Sequence, residues 1–159
     1  MNEHGLYLFY GDKLFFGLLW GVLGAVLILA DNGVANVVFA MVLAFIVQMR
    51  IDHLNHAIAA VIVILAFAIA ASVHTPTFVV FFTSFVIFGG LRAYIGDVRG
   101  RYDLLYRFSE PGWAHYYIVP FAWSLYSGAW ILFGFTATYR TAYNAAKYGL
   151  YLKGYYSKL

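Results

Sequence analysis

The 159-residue chain contains no cysteine, and only 11% of its residues are charged. The missing thiols exclude disulfides, iron–sulfur clusters, thiolate metal sites and cysteine nucleophiles, while leaving the redox compartment open. The shortage of charge is the stronger constraint, because soluble domains carry about 25% charged residues. With 64% hydrophobic residues, 21% aromatics and a mean hydropathy of +0.77, there is too little polar surface to coat a particle of this size. Lipid is the expected solvent, and the expected class is an all-α, polytopic integral membrane protein.

Basic residues are also few. Ten Lys and Arg oppose seven Asp and Glu, and they sit in short clusters between apolar runs rather than on one face, which argues against a nucleic-acid partner. The opening MNEHGLYLFYGDK has acidic residues and no basic region before Lys13. It does not read as a cleaved secretory signal, so the first apolar run is expected to stay as a membrane helix.

Charged residues and histidines bound five uncharged stretches: 14–30, 33–49, 57–73, 75–91 and 113–137. The first four are about 17 residues each, near the lower limit for crossing some 30 Å of hydrocarbon. The fifth is longer and opens with Trp113, His115, Tyr116 and Tyr117, residues suited to the membrane boundary. Pro120 either kinks it or falls in its first turn. Short links at Asp31-Asn32-Gly33, 50–56 and His74-Thr75-Pro76 imply adjacent antiparallel helices. A polar loop is expected over 92–112, and the tail 138–159 alternates Tyr with Lys and Arg, as an interfacial amphipathic segment would. With five crossings, Lys13, Arg50 and the four loop arginines share one side while the tail's Arg140, Lys147, Lys153 and Lys158 fall on the other. The loops alone place the N-terminus and the long loop on the cytoplasmic side.

None of the five stretches contains Lys, Arg, Asp or Glu. Ion-coupled transporters keep an ionisable group near the midplane, so that class is disfavoured, as is a retinal Schiff base. There is no HExxH helix, GxSxG elbow, P-loop or multi-histidine box. The richest remaining constellation is Asp52-His53-Leu54-Asn55-His56. On a helix His53 and His56 share a face, Asp52 could orient an imidazole from behind, and His115 falls on the same membrane side. Three imidazoles and a carboxylate suit a metal ion, and imidazoles also ligate haem. The competing reading makes these residues polar markers at a helix–helix turn. His74, about 26 Å from His56 by helical rise, cannot join the same site and reads as a helix-end residue.

The interleaved glycines, arginines and aspartates of Gly96–Asp103 do not match a phosphotransferase spacing. Arg92, Arg99, Arg101 and Arg107 are expected from the positive-inside rule and could hold anionic lipid headgroups. Gly17, Gly21 and Gly24 form a small-residue face on the first stretch, and Ala59, Ala66 and Ala70 offer another on the third. Phe81, Phe82, Phe85 and Phe88 on the fourth stretch are expected to face lipid or a partner. The functional expectation is a small accessory or assembly subunit of a larger membrane complex, such as an energy-converting one, with membrane lipids and other membrane subunits as partners. The alternative is a metal- or haem-binding membrane enzyme or redox subunit built on His53, His56 and His115.

Overall fold

The computed structural model describes residues 11–51, 53–98 and 112–152. Among them every regular element is helical: α1 (Asp12–Ala30), α2 (Asn32–Val47), α3 (Leu54–Ala70), α4 (Thr75–Val98), a π-helical turn (Ala114–Ile118), α5 (Val119–Ser127) and α6 (Trp130–Leu152). The chain divides into two compact units, Met1–Thr83 and Ser84–Leu159, with α4 running across the division.

In the first unit α1 and α2 are separated by a single residue. Asp31 is extended and its carboxylate accepts from the Val34 N–H at 2.8 Å, capping α2 while the chain reverses. At the other end of α2, Met49 takes a left-handed conformation (φ 53°), and the Arg50 N–H returns to the Phe45 carbonyl at 2.9 Å. This is the Schellman ending that glycine usually supplies, and it stops α2 at Val47.

Helices α1 and α3 pack in parallel through the glycine face of α1. A Cβ on Gly17 would stand 3.0 Å from the Asn55 Cα and carbonyl oxygen and from the Ile58 Cβ; one on Gly21 would stand 2.6 Å from Ile62 Cδ1; one on Gly24, 2.7 Å from Val63 Cγ2. Bare backbone on α1 thus receives bulky side chains of α3, the arrangement by which helices approach closely without a hydrophobic drive. Asn55, Ile58, Ile62 and Val63 fill this groove, whereas Ala70 of the expected alanine face is exposed. Helix α2 is buried over much of its length, and its Phe39 stacks on Phe67 of α3 at 4.1 Å and meets Phe78 of α4 at 5.7 Å.

A buried amide ties α2 to the α3–α4 link. Asn36, with no exposed surface, donates to the Asn32 and Ser72 carbonyls (2.8 and 2.9 Å) and accepts from the His74 N–H (2.9 Å). Asn32 accepts from the Ser72 N–H at 3.0 Å, and the His74 ring pairs with the Thr77 hydroxyl at 2.8 Å.

Three expectations change. Helix α4 does not stop at Leu91 but continues to Val98, placing Arg92 on a helix rather than in a loop. Phe81 and Phe85 are buried rather than outward-facing, while Phe88 is exposed. The fifth stretch is not one helix, because Gly128 is left-handed (φ 75°) and ends α5. A Cβ there would meet open space, so glycine serves the backbone and not the packing. The turn is closed by the Gly128 N–H on the Ser124 carbonyl (2.9 Å) and the Ser124 hydroxyl on the Ala129 carbonyl (3.0 Å). Helix α6 then returns alongside α5: Phe121 meets Trp130 and Phe133, and the Tyr117 and Thr141 hydroxyls lie 3.0 Å apart. This pairing order makes an antiparallel hairpin, and it carries Arg140 in from the expected tail.

Two helices, over Asp12–Ala30 and Thr75–Ile95, are long and apolar enough to cross a membrane. Only 17% of the first is buried, and Leu18, Leu19, Val22, Val26 and Leu29 stand exposed along it.

Candidate functional site

The second unit contains a polar cluster inside its apolar surroundings. It starts from Pro120, which has no N–H to aim at the Tyr116 carbonyl and whose ring crowds that carbonyl in a regular α-helix. The preceding turn is widened: the Val119 N–H reaches the Ala114 carbonyl, five residues back. Such π turns are rare and concentrate at functional sites. Here the turn buries two successive side chains, His115 and Tyr116, each 5% exposed, with rings 4.5 Å apart. Gly112 supports them from below. Its φ is 74°, and a Cβ would stand 2.7 Å from Tyr116 Cδ2 and 3.2 Å from His115 Nε2, so both backbone and space require glycine. Phe85 of α4 sets its edge against both rings, at 5.7 and 5.4 Å.

Arg140 of α6 reaches the same place. It is 5% exposed, and its guanidinium carbon lies 5.2 Å from the Tyr116 ring centroid and 4.9 Å from that of Tyr143. Contacts of this kind contribute about 0.5–2 kcal/mol each, more when desolvated. Tyr139 adds a third phenol, its ring 5.9 Å from Tyr116. Arg92 of α4 is half-buried, and both it and Arg140 are within electrostatic reach of the Tyr116 hydroxyl. One turn beyond Arg140, the buried Oδ1 of Asn144 has no hydrogen-bond partner among the described residues. Two guanidiniums, an imidazole and three phenols therefore converge in one unit, a donor-rich set suited to an anion.

Of the residues singled out from sequence, His115 and Arg92 belong to this cluster. His53 and His56 lie in the first unit, His53 just before α3 and His56 in its first turn, with ring centroids 5.6 Å apart. Asp52, Arg99, Arg101 and Arg107 lie outside the described residues. Among the described residues no group of three or more His, Asp or Glu is placed to hold a metal ion. Tyr116, Tyr139, Arg140 and Tyr143 are not singled out by the sequence reading. Their signal was the spacing of Thr136, Tyr139, Arg140 and Tyr143, which recur at helical intervals on one face. The Ser-Gly pair at 127–128, a helix-stop signal, would have separated α6 from the stretch before it.

No protein-family model, no curated protein and no solved structure matches the chain.

Proposed function

We propose that the protein is a polytopic integral membrane subunit whose chain passes through the bilayer six times, the π turn and α5 joining as one short pass over 114–127, and that it acts through helix packing and lipid contacts as an accessory or assembly component of a larger membrane complex. The reversal at Gly128 carries this reading. With six crossings in place of five, alternation along the chain assigns the eight Lys and Arg outside α6 to one side, the arginines of 92–107 and the lysines beyond α6 included, while Arg140 and Lys147 lie within α6 itself. The opposite side receives none, only Asp31 and His74 among the ionisable groups. A bias of eight to zero is the pattern that sets membrane orientation, with the charged side cytoplasmic. The glycine groove of α1 supports the same reading, since bare backbone receiving bulky side chains is how helices pack closely in lipid. Its aliphatic outer face is left for lipid or for another subunit.

The second reading, a metal or haem site, draws on the neighbouring rings of His53 and His56. Native mass spectrometry of the protein extracted in mild detergent from its source separates the two. The expected result is an assembly larger than the 17.9 kDa chain, with the chain itself bare. A lone chain carrying metal or haem mass that is lost in His56→Ala would overturn the subunit reading in favour of the second.

A further inference from the structure

We propose that the lipid partner of this protein is short-chained, a thin bilayer whose hydrocarbon core measures about 24 Å, the length of its helices, against roughly 30 Å in a typical membrane. The inference rests on the membrane reading above and names the lipid that those crossings fit. Helix α2 has 16 residues and α3 has 17, about 24 and 25 Å at helical rise. In α1 and α4 the uncharged runs are 14–30, between Lys13 and Asp31, and 75–91, ending at Arg92. Each of these is also about 25 Å long. A typical core asks for about 20 residues, and tilting a helix only reduces the thickness it covers. Four stretches of the chain thus agree on one thin slab.

The second unit is shorter still. Its π turn and α5 together cover 114–127, about 21 Å of helix. On α6 the first charge is Arg140, which is 5% exposed and stands twelve residues past Gly128, about 18 Å along the helix. Measured from a reversal at one boundary, that charge falls near the middle of a core of about 30 Å, but only about one helical turn from the far boundary of a core of about 24 Å. Local thinning is one of the ways a bilayer accommodates a charge on a helix. Nor can the first unit supply the missing length. Asp31 caps one end of α2 and a left-handed Met49 closes the other, while Asn32 and Asn36 hold Ser72 and His74 by hydrogen bonds just past α3. A further turn on either helix would break these bonds, so the adjustment falls to the lipid, which thins around spans that are too short.

The test is the relative affinity of the full chain for lipids that differ only in chain length, read by quenching of its tryptophans. Trp20, Trp113 and Trp130 are exposed and report the lipid beside them. The protein is reconstituted in dioleoyl phosphatidylcholine, and this is replaced in steps by brominated dimyristoleoyl, dioleoyl or dierucoyl phosphatidylcholine, whose chains lengthen in that order under one headgroup. The dimyristoleoyl lipid is expected to bind most strongly, about twofold better than the dioleoyl and about fivefold better than the dierucoyl, as a mismatch cost that rises with each added ångström requires. Equal binding across the series, or strongest binding of either longer lipid, would overturn the proposal. Failure of the membrane reading has a different signature: none of the three lipids quenches, and alkaline carbonate releases the chain from native membranes.

Discussion

Gly21→Leu is expected to cost about 3 kcal/mol or more of stability, the upper end for forcing volume into a packed contact. The reason is specific to this position. A Cβ on Gly21 would stand 2.6 Å from Ile62 Cδ1, which can swing away, but also 2.9 Å from Ile62 Cβ, which moves only if α3 moves. Gly21→Ala sets that clash against a helix-propensity gain of about 1 kcal/mol, so a net loss nearer 1 kcal/mol is expected. Combining it with Ile62→Ala removes the flexible part of the clash, and the double-mutant cycle should show a coupling of about 1 kcal/mol. Gly17→Ala should be no milder, because two of its three near atoms belong to the Asn55 backbone; Gly24→Ala should be the mildest, meeting one Val63 methyl. Unfolding in detergent reads each of these variants. A Gly21→Leu loss below about 0.5 kcal/mol would mean that α1 and α3 are not in this register.

Asn36→Leu is the second large effect, expected at about 2–4 kcal/mol. The side chain makes three hydrogen bonds from a position with no exposed surface. Leucine has the same branching with bulkier methyl groups, so no cavity is opened, and the main cost is that of stranding the Ser72 carbonyl and the His74 N–H. Each buried group left unpaired costs about 1–3 kcal/mol, with interhelical bonds in membranes averaging nearer 0.6. Asn32→Ala breaks only the bond to the Ser72 N–H and should cost about 1 kcal/mol or less. Amide exchange distinguishes this account from general loosening. In Asn36→Leu the His74 amide should lose protection before amides in the middle of α3 do, and simultaneous loss along the helix would argue against a local clasp.

These two regions differ in how far they can be read from sequence. Apolar stretches between charged residues indicate helices because few arrangements other than a helix satisfy the backbone where water is scarce. Chain reversals at Asp31 and at His74-Thr75-Pro76 announce themselves by cap and turn chemistry. Helix ends are less legible. Met49 supplies a left-handed cap with no glycine to advertise it, and Arg92 stands well inside α4 although charges mark the ends of the other apolar stretches. Phe81 and Phe85 show the limit of composition, since a phenylalanine suits lipid and core equally and only packing decides.

The site was half legible for the same reason. His115 and Arg92 drew attention as isolated polar residues beside apolar runs, whereas Arg140 was hidden by its company. In a run of tyrosines and basic residues, an arginine looks like one more boundary charge. What buries it is the Gly128 reversal twelve residues earlier, which turns a tail into the second arm of a hairpin. Tyr116 and Tyr143 then provide aromatic faces that let the charge be buried, with Tyr139 set against Tyr116.

The topology built on that hairpin is best tested by single-cysteine labelling, which the absence of native cysteine makes clean. Met49→Cys, Val73→Cys and Tyr148→Cys each replace an exposed residue. In sealed vesicles of defined orientation, treated with a membrane-impermeant maleimide, six crossings predict that positions 49 and 148 label from the same side and position 73 from the other. Labelling of 49 and 148 from opposite sides would restore a single fifth crossing, and labelling of all three from both sides would contradict a membrane-spanning bundle altogether.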